Sequence, residues 1–208
     1  MNVNFEYSKT LAIEGSILVL LSLIPYVGWV LGIVGVVLLI RAMKELSNYY
    51  QDETIYQNSL TGVKYYIVAI VAVAVAIASI TLGVWSATGF TADFMFTAGF
   101  GVGLIAFFAG LITAFVFYVL AALNLRRTFT TLAQKSGESS FNTAGDLLWI
   151  GSILTIIGVG LLLILVAWIF ATIGFSAMKS RQYQQYQQYP PQPNGYGYTP
   201  PPTQPAQP

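Results

Sequence analysis

Residues 11–40 read LAIEGSILVLLSLIPYVGWVLGIVGVVLLI and carry one charged side chain, Glu14. A helix needs roughly 20 apolar residues to cross the hydrocarbon core of a bilayer, so this run is longer than one span. Pro25 lacks a backbone donor and disfavours helix at the residue before it, and Gly28 follows three positions later. The run is therefore either one long kinked helix or a hairpin of two short helices.

Three more apolar blocks follow, at residues 62–85, 98–125 and 144–178. The two inner blocks have the length of single spans. The last block is long like the first and contains its own break, Gly158-Val159-Gly160, where glycine permits the positive φ of a tight reversal. The chain thus has either four long helices or six helices.

The basic residues separate these alternatives, because membrane proteins keep lysine and arginine mainly on the cytoplasmic side. With six helices, all nine basic residues fall on one side: Lys9, Arg41, Lys44, Lys64, Arg126, Arg127, Lys135, Lys179 and Arg181. With four helices, Lys9, Lys179 and Arg181 move to the far side. The sequence therefore predicts an all-α, polytopic membrane bundle in which two short hairpins flank two full spans. Both termini are then cytoplasmic.

The composition favours a lipid-exposed protein and excludes several kinds of site. Of the 208 residues, 56% are hydrophobic and 8% are charged, where soluble domains carry about 25% charged residues. Histidine and cysteine are absent, which removes the usual general base, thiolate metal ligands and a thiol nucleophile. A net charge of +1 offers no basic surface for nucleic acid. We therefore expect no catalytic, cofactor-binding or metal-binding residues, no cofactor and no enzyme activity.

The composition changes abruptly near the C-terminus, which divides the chain into a membrane domain, residues 1–181, and a tail, residues 182–208. The tail is rich in proline, glutamine and tyrosine and carries no charge. Such a segment cannot bury enough apolar area to offset its ordering entropy, so we expect it to be disordered. It is either a docking ligand for a partner's aromatic groove or a solubilising terminus.

Two carboxylates lie in or beside the apolar blocks. An ionisable group deep in a membrane is by default a functional hypothesis, such as an ion or proton site. Glu14, however, lies near the start of its helix, and Asp146 lies three residues before Trp149, so both can reach the headgroups. We favour this interfacial interpretation. Asp93 is the single charge of the predicted loop Ser86–Thr97, and we expect it at an interface too.

Small and aromatic residues recur in patterns typical of membrane helices. The small residues are Gly28, Gly32 and Gly35, Gly99 and Gly103, Ala72 and Ala76, and Ala74 and Ala78. Such spacing serves either oligomerisation or packing within one subunit, and we favour the second. The aromatic residues predict two interfacial belts: Tyr49, Tyr50, Tyr65 and Tyr66 on the cytoplasmic side, and Trp29, Trp85 and Phe90 on the other. Trp168 lies nearer mid-helix, where we expect packing.

The segment Ile24–Gly35, with its continuation Ala42–Asp52, resembles a family signature. It is similar to a prokaryotic, mainly archaeal, group of multi-pass membrane proteins known as domain of unknown function 996. The resemblance covers roughly residues 8–180 and excludes the tail. It implies a location in the cell membrane of an archaeal or bacterial host, and it brings no activity, ligand or catalytic residue to transfer.

These observations predict a non-enzymatic integral membrane protein that acts as a scaffold, an accessory subunit or an organiser of the membrane. Its expected partners are the lipid bilayer, further copies or subunits of a membrane complex, and a protein that binds the tail. Two short hairpins also suggest a wedge that bends or thins the bilayer. The alternative is a small transporter or channel, which internal repetition favours, since Gly15-Ser16-Ile17-Leu18 recurs as Gly151-Ser152-Ile153-Leu154. The absence of polar residues at mid-helix disfavours it.

Overall fold

A computed structural model describes residues 5–22, 24, 26–88 and 93–180, with the side chains of these residues except 86–88 and 93–98. The described residues from Phe5 to Met178 belong to one compact unit. The predictions about the tail and Arg181 fall outside the described residues, as does Phe90.

The described residues form six α-helices, in agreement with the six-helix prediction. These are α1 (Phe5–Leu21), α2 (Gly28–Tyr50), α3 (Glu53–Thr88), α4 (Asp93–Ser136), α5 (Ser140–Leu154) and α6 (Gly160–Ala177), with a 3₁₀ turn at Thr155–Ile157 before α6. The four-helix alternative is wrong, because the chain reverses at both predicted breaks. The two inner helices extend beyond the predicted blocks, and much of the predicted loop Ser86–Thr97 is helical. Apolarity marks the part of a helix that suits lipid, whereas the helix itself continues into polar residues.

The helices form three antiparallel hairpins arranged in a ring. Each helix packs against its neighbours in the chain, and α6 packs back against α1. We call α3–α4 the central hairpin and α1–α2 and α5–α6 the terminal hairpins. The two terminal hairpins lie side by side through α1 and α6, which closes the ring.

The main core lies at one end of this ring, the end that carries the α2–α3 and α4–α5 connections. We call it the basic end, after the basic residues that the six-helix prediction places on one side. Phe141, Phe175, Leu46, Ile55 and Leu132 are fully covered there, so five of the six helices contribute their largest buried side chains to it. Phe141 lies at the centre, with its ring centroid 5.0 Å from that of Phe175. Burial of such aromatic side chains provides much of the free energy that holds helices together outside the lipid.

The reversals at the other end of the terminal hairpins depend on glycine and on one strained residue. Gly158 follows the 3₁₀ turn with φ of 83°, a conformation in which glycine carries no steric cost. Gly160 is so close to the carbonyl oxygen of Gly151 that no Cβ would fit between them. In the α1–α2 reversal the positive φ falls on Tyr26, at 69°, with its side chain almost fully exposed. We call these two reversals the tips of the terminal hairpins.

The repeated Gly-Ser-Ile-Leu segment occupies equivalent places in the two terminal hairpins. A Cβ at Gly15 would lie 3.0 Å from the Gly35 carbonyl oxygen of α2, and one at Gly151 would lie 3.0 Å from the Gly160 carbonyl oxygen of α6. The following serines are both buried, and each donates to the carbonyl oxygen three residues before it. The terminal hairpins are therefore structurally alike at this crossing point, as the repeat predicts.

Among the described residues, four helical segments are long and apolar enough to cross a membrane. They are Glu53–Trp85, Gly99–Ser136, Ser140–Ile157 and Gly160–Ala177. The chain is thus suited to a membrane by the length and composition of its helices. The central hairpin supplies the two longest of these segments.

Candidate functional site

The α2–α3 connection is organised by the carboxylate of Asp52. Its Oδ1 accepts hydrogen bonds from the Thr54 backbone N–H at 3.1 Å and from the Thr54 hydroxyl at 2.6 Å, so it caps the first turn of α3. Its Oδ2 lies 3.0 Å from the Lys135 Nζ of α4. The Thr54 hydroxyl and then Lys135 hold the pKa of Asp52 below its ordinary value of 3.8, because both stabilise the charged form. Asp52 therefore links the α2–α3 connection to α4 of the central hairpin.

Arg126 of α4 is held against α5 by two contacts. Its Nε donates to the Oδ1 of Asp146 at 2.8 Å, and its guanidinium carbon lies 4.9 Å from the centroid of the Trp149 ring. Gly145 makes this approach possible, since even a Cβ there would lie 3.3 Å from the Arg126 backbone. Both charged side chains stay partly exposed, Arg126 at 39% and Asp146 at 53%. The three residues mark the level at which the charged part of α4 and α5 gives way to the apolar part.

The α1–α6 contact, which closes the ring, contains two polar interactions. The Lys9 Nζ donates to the Met178 carbonyl oxygen at 3.0 Å, and the Thr172 hydroxyl donates to the Ser16 hydroxyl at 3.0 Å. A cation at a helix C-terminus is stabilised by the helix dipole as well as by the hydrogen bond. The C-terminal end of α6 therefore lies at the same end as Lys9, as the hairpin interpretation requires.

The α5–α6 tip lies far short of the tip of the central hairpin. The Tyr118 side chain of α4 interacts with Thr155 in that tip, and it packs against Tyr66 of α3 with ring centroids 6.3 Å apart. Tyr118 is only about 12 Å along α4 from Arg126. From Tyr66, α3 continues to Thr88, which is about 33 Å of further helix. The central hairpin therefore extends roughly 30 Å beyond the α5–α6 tip.

The α1–α2 tip lies no further from the basic end than the α5–α6 tip does. Because Ser16 and Thr172 contact each other, they provide a common level on α1 and α6. From that level α1 reaches Ser22 after about 9 Å, whereas α6 reaches its first residue, Gly160, after about 18 Å. Both terminal hairpins therefore end closer to the basic end than the central hairpin does. The expectation that Trp29 and Trp85 share one belt is wrong, since Trp29 belongs to a short hairpin and Trp85 to the long one.

The central hairpin beyond the tips is held by close backbone contact and covered by no other described helix. A Cβ at Gly103 would lie 3.0 Å from the Gly83 Cα, and one at Gly110 would lie 2.8 Å from the Ala76 Cβ. Large aliphatic side chains are exposed along both helices: Ile67, Val68, Ile70, Val71, Val73, Val75, Ile77, Leu82 and Val84 on α3, and Val102, Ile105, Leu111, Ile112 and Val116 on α4. Consecutive positions are exposed, so the apolar surface extends around each helix except where α3 and α4 pack together, and it fits lipid chains.

Of the carboxylates singled out in the sequence, the two whose side chains are described, Glu14 and Asp146, are not brought together. Glu14 is exposed on α1, and Asp146 pairs with Arg126 where the charged part of α5 gives way to its apolar part. The side chain of Asp93 is not described. In the described part of the chain, no three carboxylate side chains are placed to hold a metal ion. The hollow between α3 and α4 is lined by Gly83, Gly99, Gly103 and apolar side chains, with Ser79 as its polar contribution.

The small residues mostly serve packing within the subunit, the interpretation favoured above. Gly35 faces the backbone of Gly15, and Ala76 is buried against Gly110. Ala74 and Ala78 are exposed instead and contribute to the apolar outer surface of the central hairpin. Trp168 packs on Phe129, with ring centroids 6.3 Å apart, as expected.

Two contacts at the basic end were not predicted from the sequence. Asp52 was overlooked, although an aspartate immediately before a helix with threonine two residues later is a capping signal. The Arg126–Asp146–Trp149 contact was also overlooked, although its members were noted individually. Both charges lie at block boundaries on consecutive helices, and antiparallel neighbours place such positions at one level.

Comparison with known proteins agrees with the resemblance inferred from the sequence. Residues 31–169 match the model of a family described as a protein of unknown function, DUF996. The uncharacterized protein MJ1644 of Methanocaldococcus jannaschii is 27% identical to this chain over 165 residues, which cover 79% of this chain and 89% of that protein. No solved structure matches the chain.

Proposed function

This chain belongs to the DUF996 family, and we propose that it is a non-enzymatic protein of the cell membrane that organises the bilayer through its shape. The observation that carries the proposal is the difference in length between the hairpins. The central hairpin crosses the whole bilayer, and the terminal hairpins enter from the cytoplasmic side and stop near its middle. The two leaflets then hold different numbers of helices.

The levels of the charged residues support this placement. If Arg126 and Asp146 lie at the cytoplasmic headgroups, Gly103 lies about 35 Å away along α4, beyond a hydrocarbon core of about 30 Å. Trp85 of α3 is then near the opposite headgroups, where tryptophan is favoured. The α5–α6 tip, beside Tyr118, lies about 12–15 Å deep. Lys9 and the α6 C-terminus are then on the cytoplasmic side.

By length alone α5 and α6 could cross a membrane, but the parts of these helices that contain Phe141 and Gly174 belong to the basic end. Gly174 of α6 packs directly on the Phe141 ring, and Phe141 precedes Asp146 by more than one helical turn. The part of α6 that lies above this contact is about 20 Å long. Exposed isoleucines at the tip, Ile156 and Ile157, are suited to the hydrocarbon at that depth.

The physical consequence is an asymmetric wedge. Six helices occupy the cytoplasmic leaflet and two occupy the other. A helix is about 10 Å across, so the four additional helices add about 300 Å² to one leaflet. A bilayer with unequal leaflet areas bends toward the smaller leaflet, which would make the cytoplasmic face convex. Lipid is accordingly the principal partner in this proposal.

Single cysteines measure the depth of the tips directly, because the natural chain has no cysteine. We expect a cysteine at Ile157 to resist water-soluble maleimides added on either side of the membrane. A cysteine at Gln134 should react from the cytoplasmic side, and one in the α3–α4 connection should react from the other. Reaction of the Ile157 cysteine from the same side as the α3–α4 connection would show that α5–α6 crosses completely, and the wedge would be abandoned.

Reconstituted vesicles test the consequence of the wedge. We expect the protein to convert large vesicles into narrower ones or tubules as its density rises. The matched control lengthens α5–α6 by equal apolar insertions before Thr155 and after Gly160, so that this hairpin crosses the bilayer. That variant should remodel vesicles less. Solute or ion flux through the same vesicles, without remodelling, would favour the transporter or channel alternative instead.

A further inference from the structure

We propose that the α4–α5 face around Arg126 binds the phosphate group of an anionic lipid. The proposal uses the headgroup level assigned above but not the curvature, so it can fail or succeed separately. Its basis is a guanidinium that is held in place while most of its donors remain available.

Arg126 is held by two contacts. Asp146 accepts a hydrogen bond from its Nε, and its guanidinium carbon lies over the Trp149 ring, 4.9 Å from the ring centroid. Arginine has five N–H donors, and the Nη groups of Arg126 make no hydrogen bond to the described residues. A planar fork with free Nη groups suits the oxygens of a phosphate, and its fixed position reduces the entropy lost on binding.

Two further polar side chains lie one helical turn toward the basic end. Thr130 follows Arg126 by four residues on α4, and Asn142 precedes Asp146 by four residues on α5. Positions four residues apart share a helix face, and Phe129 and Phe141, their neighbours in the chain, pack together at 6.0 Å. Thr130 and Asn142 therefore offer a hydroxyl and an amide beside the guanidinium, on the side from which a headgroup would approach.

The opposite side of Arg126 is apolar. Trp149 is followed along α5 by Ile150 and Ile153, which are 42% and 41% exposed. The order from the basic end toward the tip is thus polar donors, guanidinium, indole and exposed isoleucine. A phospholipid has the same order of phosphate, glycerol and acyl chain, which is why we assign the site to a lipid.

Native mass spectrometry in mild detergent gives the first test, with phosphatidylglycerol as the anionic lipid and phosphatidylcholine as the zwitterionic one. We expect phosphatidylglycerol to bind more tightly to the natural protein. Arg126→Gln should weaken this binding by about tenfold or more, because it removes charge-assisted hydrogen bonds. The control Arg127→Gln removes an equal charge from the adjacent, exposed residue and should change binding little. Equal losses in the two variants would overturn the proposal in favour of diffuse charge attraction.

Asp146→Asn separates a lipid site from a structural ion pair. Its side-chain oxygen can still accept from the Arg126 Nε and keep the guanidinium in place, but the negative charge that repels a phosphate is gone, so lipid affinity should rise. A loss of affinity like that of Arg126→Gln would mean that the pair only braces α4 against α5, and the site would be withdrawn. This variant also decides the matter if Arg126→Gln fails to fold. Inorganic phosphate added at millimolar concentration identifies the source: displacement of the lipid assigns the site to phosphate in general, and lack of displacement assigns it to the lipid.

Discussion

The central hairpin and the terminal hairpins contain similar apolar residues but are stabilised in different ways. The central hairpin is held beyond the tips by contacts of small residues, such as Gly83 with Gly103, and its outer surface is uncovered. The terminal hairpins are held at the basic end by buried aromatic rings and at their tips by close backbone approach. Stability that derives from aromatic packing should therefore concentrate at the basic end, whereas the distal central hairpin should tolerate changes on its outer surface.

The largest expected effect comes from the aromatic cluster. Phe141→Ala removes a fully buried ring that contacts Phe129 and Phe175, and it should lower the free energy of unfolding by about 3–5 kcal/mol. The control is Phe108→Ala on the central hairpin, whose side chain is 54% exposed and should cost under about 1 kcal/mol. Denaturant titration in detergent measures both. Similar losses would remove the distinction between the two regions.

The next effect tests the tips. Gly160→Ala places a methyl group against the Gly151 carbonyl oxygen and the Thr155 backbone nitrogen, so α5 and α6 must separate. We expect a loss of about 1–3 kcal/mol in unfolding free energy. Gly101→Ala is the matched control on the central hairpin, because a Cβ there has nothing within 4 Å. That control should be neutral or should stabilise by up to about 1 kcal/mol through helix propensity. A well-tolerated Gly160→Ala would contradict the tight tip.

A smaller effect concerns the connection that joins a terminal hairpin to the central one. Because the pKa of Asp52 is lowered in the folded state, its contribution to stability is complete above its ordinary pKa of 3.8 and is lost as pH falls through the lowered folded value. Unfolding measured from pH 6 to pH 3 should show this loss, and Asp52→Asn should flatten it. Lys135→Gln should reduce the loss without abolishing it, since the Thr54 hydroxyl is the larger cause. An unchanged profile in Asp52→Asn would assign the acid sensitivity to other carboxylates.

The smallest expected effect is the coupling energy across the contact between the two terminal hairpins. A double-mutant cycle of Ser16→Ala and Thr172→Val should give a coupling energy of about 0.6 kcal/mol, the typical value for hydrogen bonds between membrane helices. Ser79 and Thr113 of the central hairpin each bond a carbonyl of their own helix, so the same cycle there should give coupling near zero. Coupling in the control alone would show that the ring is not closed by this pair.

Much of the fold follows from local chemistry in the sequence. The apolar blocks predict membrane helices because lipid requires long apolar runs with satisfied backbone groups. Pro25, Gly28, Gly158 and Gly160 predict the reversals because their backbone constraints are local. Counting the basic residues predicts one common side for them. The helix ends were less well predicted, since α3 and α4 continue into polar residues that no local signal excludes from a helix.

The sequence by itself determined that the described part of the chain forms six helices, with two short hairpins flanking two long helices, since composition and turn residues act over short stretches. Only the tertiary structure decided how far each hairpin reaches from the basic end, because that depends on which residues of different helices share a level. The contacts of Tyr118 with Tyr66 and Thr155, for example, join residues that are far apart in the sequence. The same reason applies to Arg126, whose position between Asp146 and Trp149 exists only once α5 packs against α4.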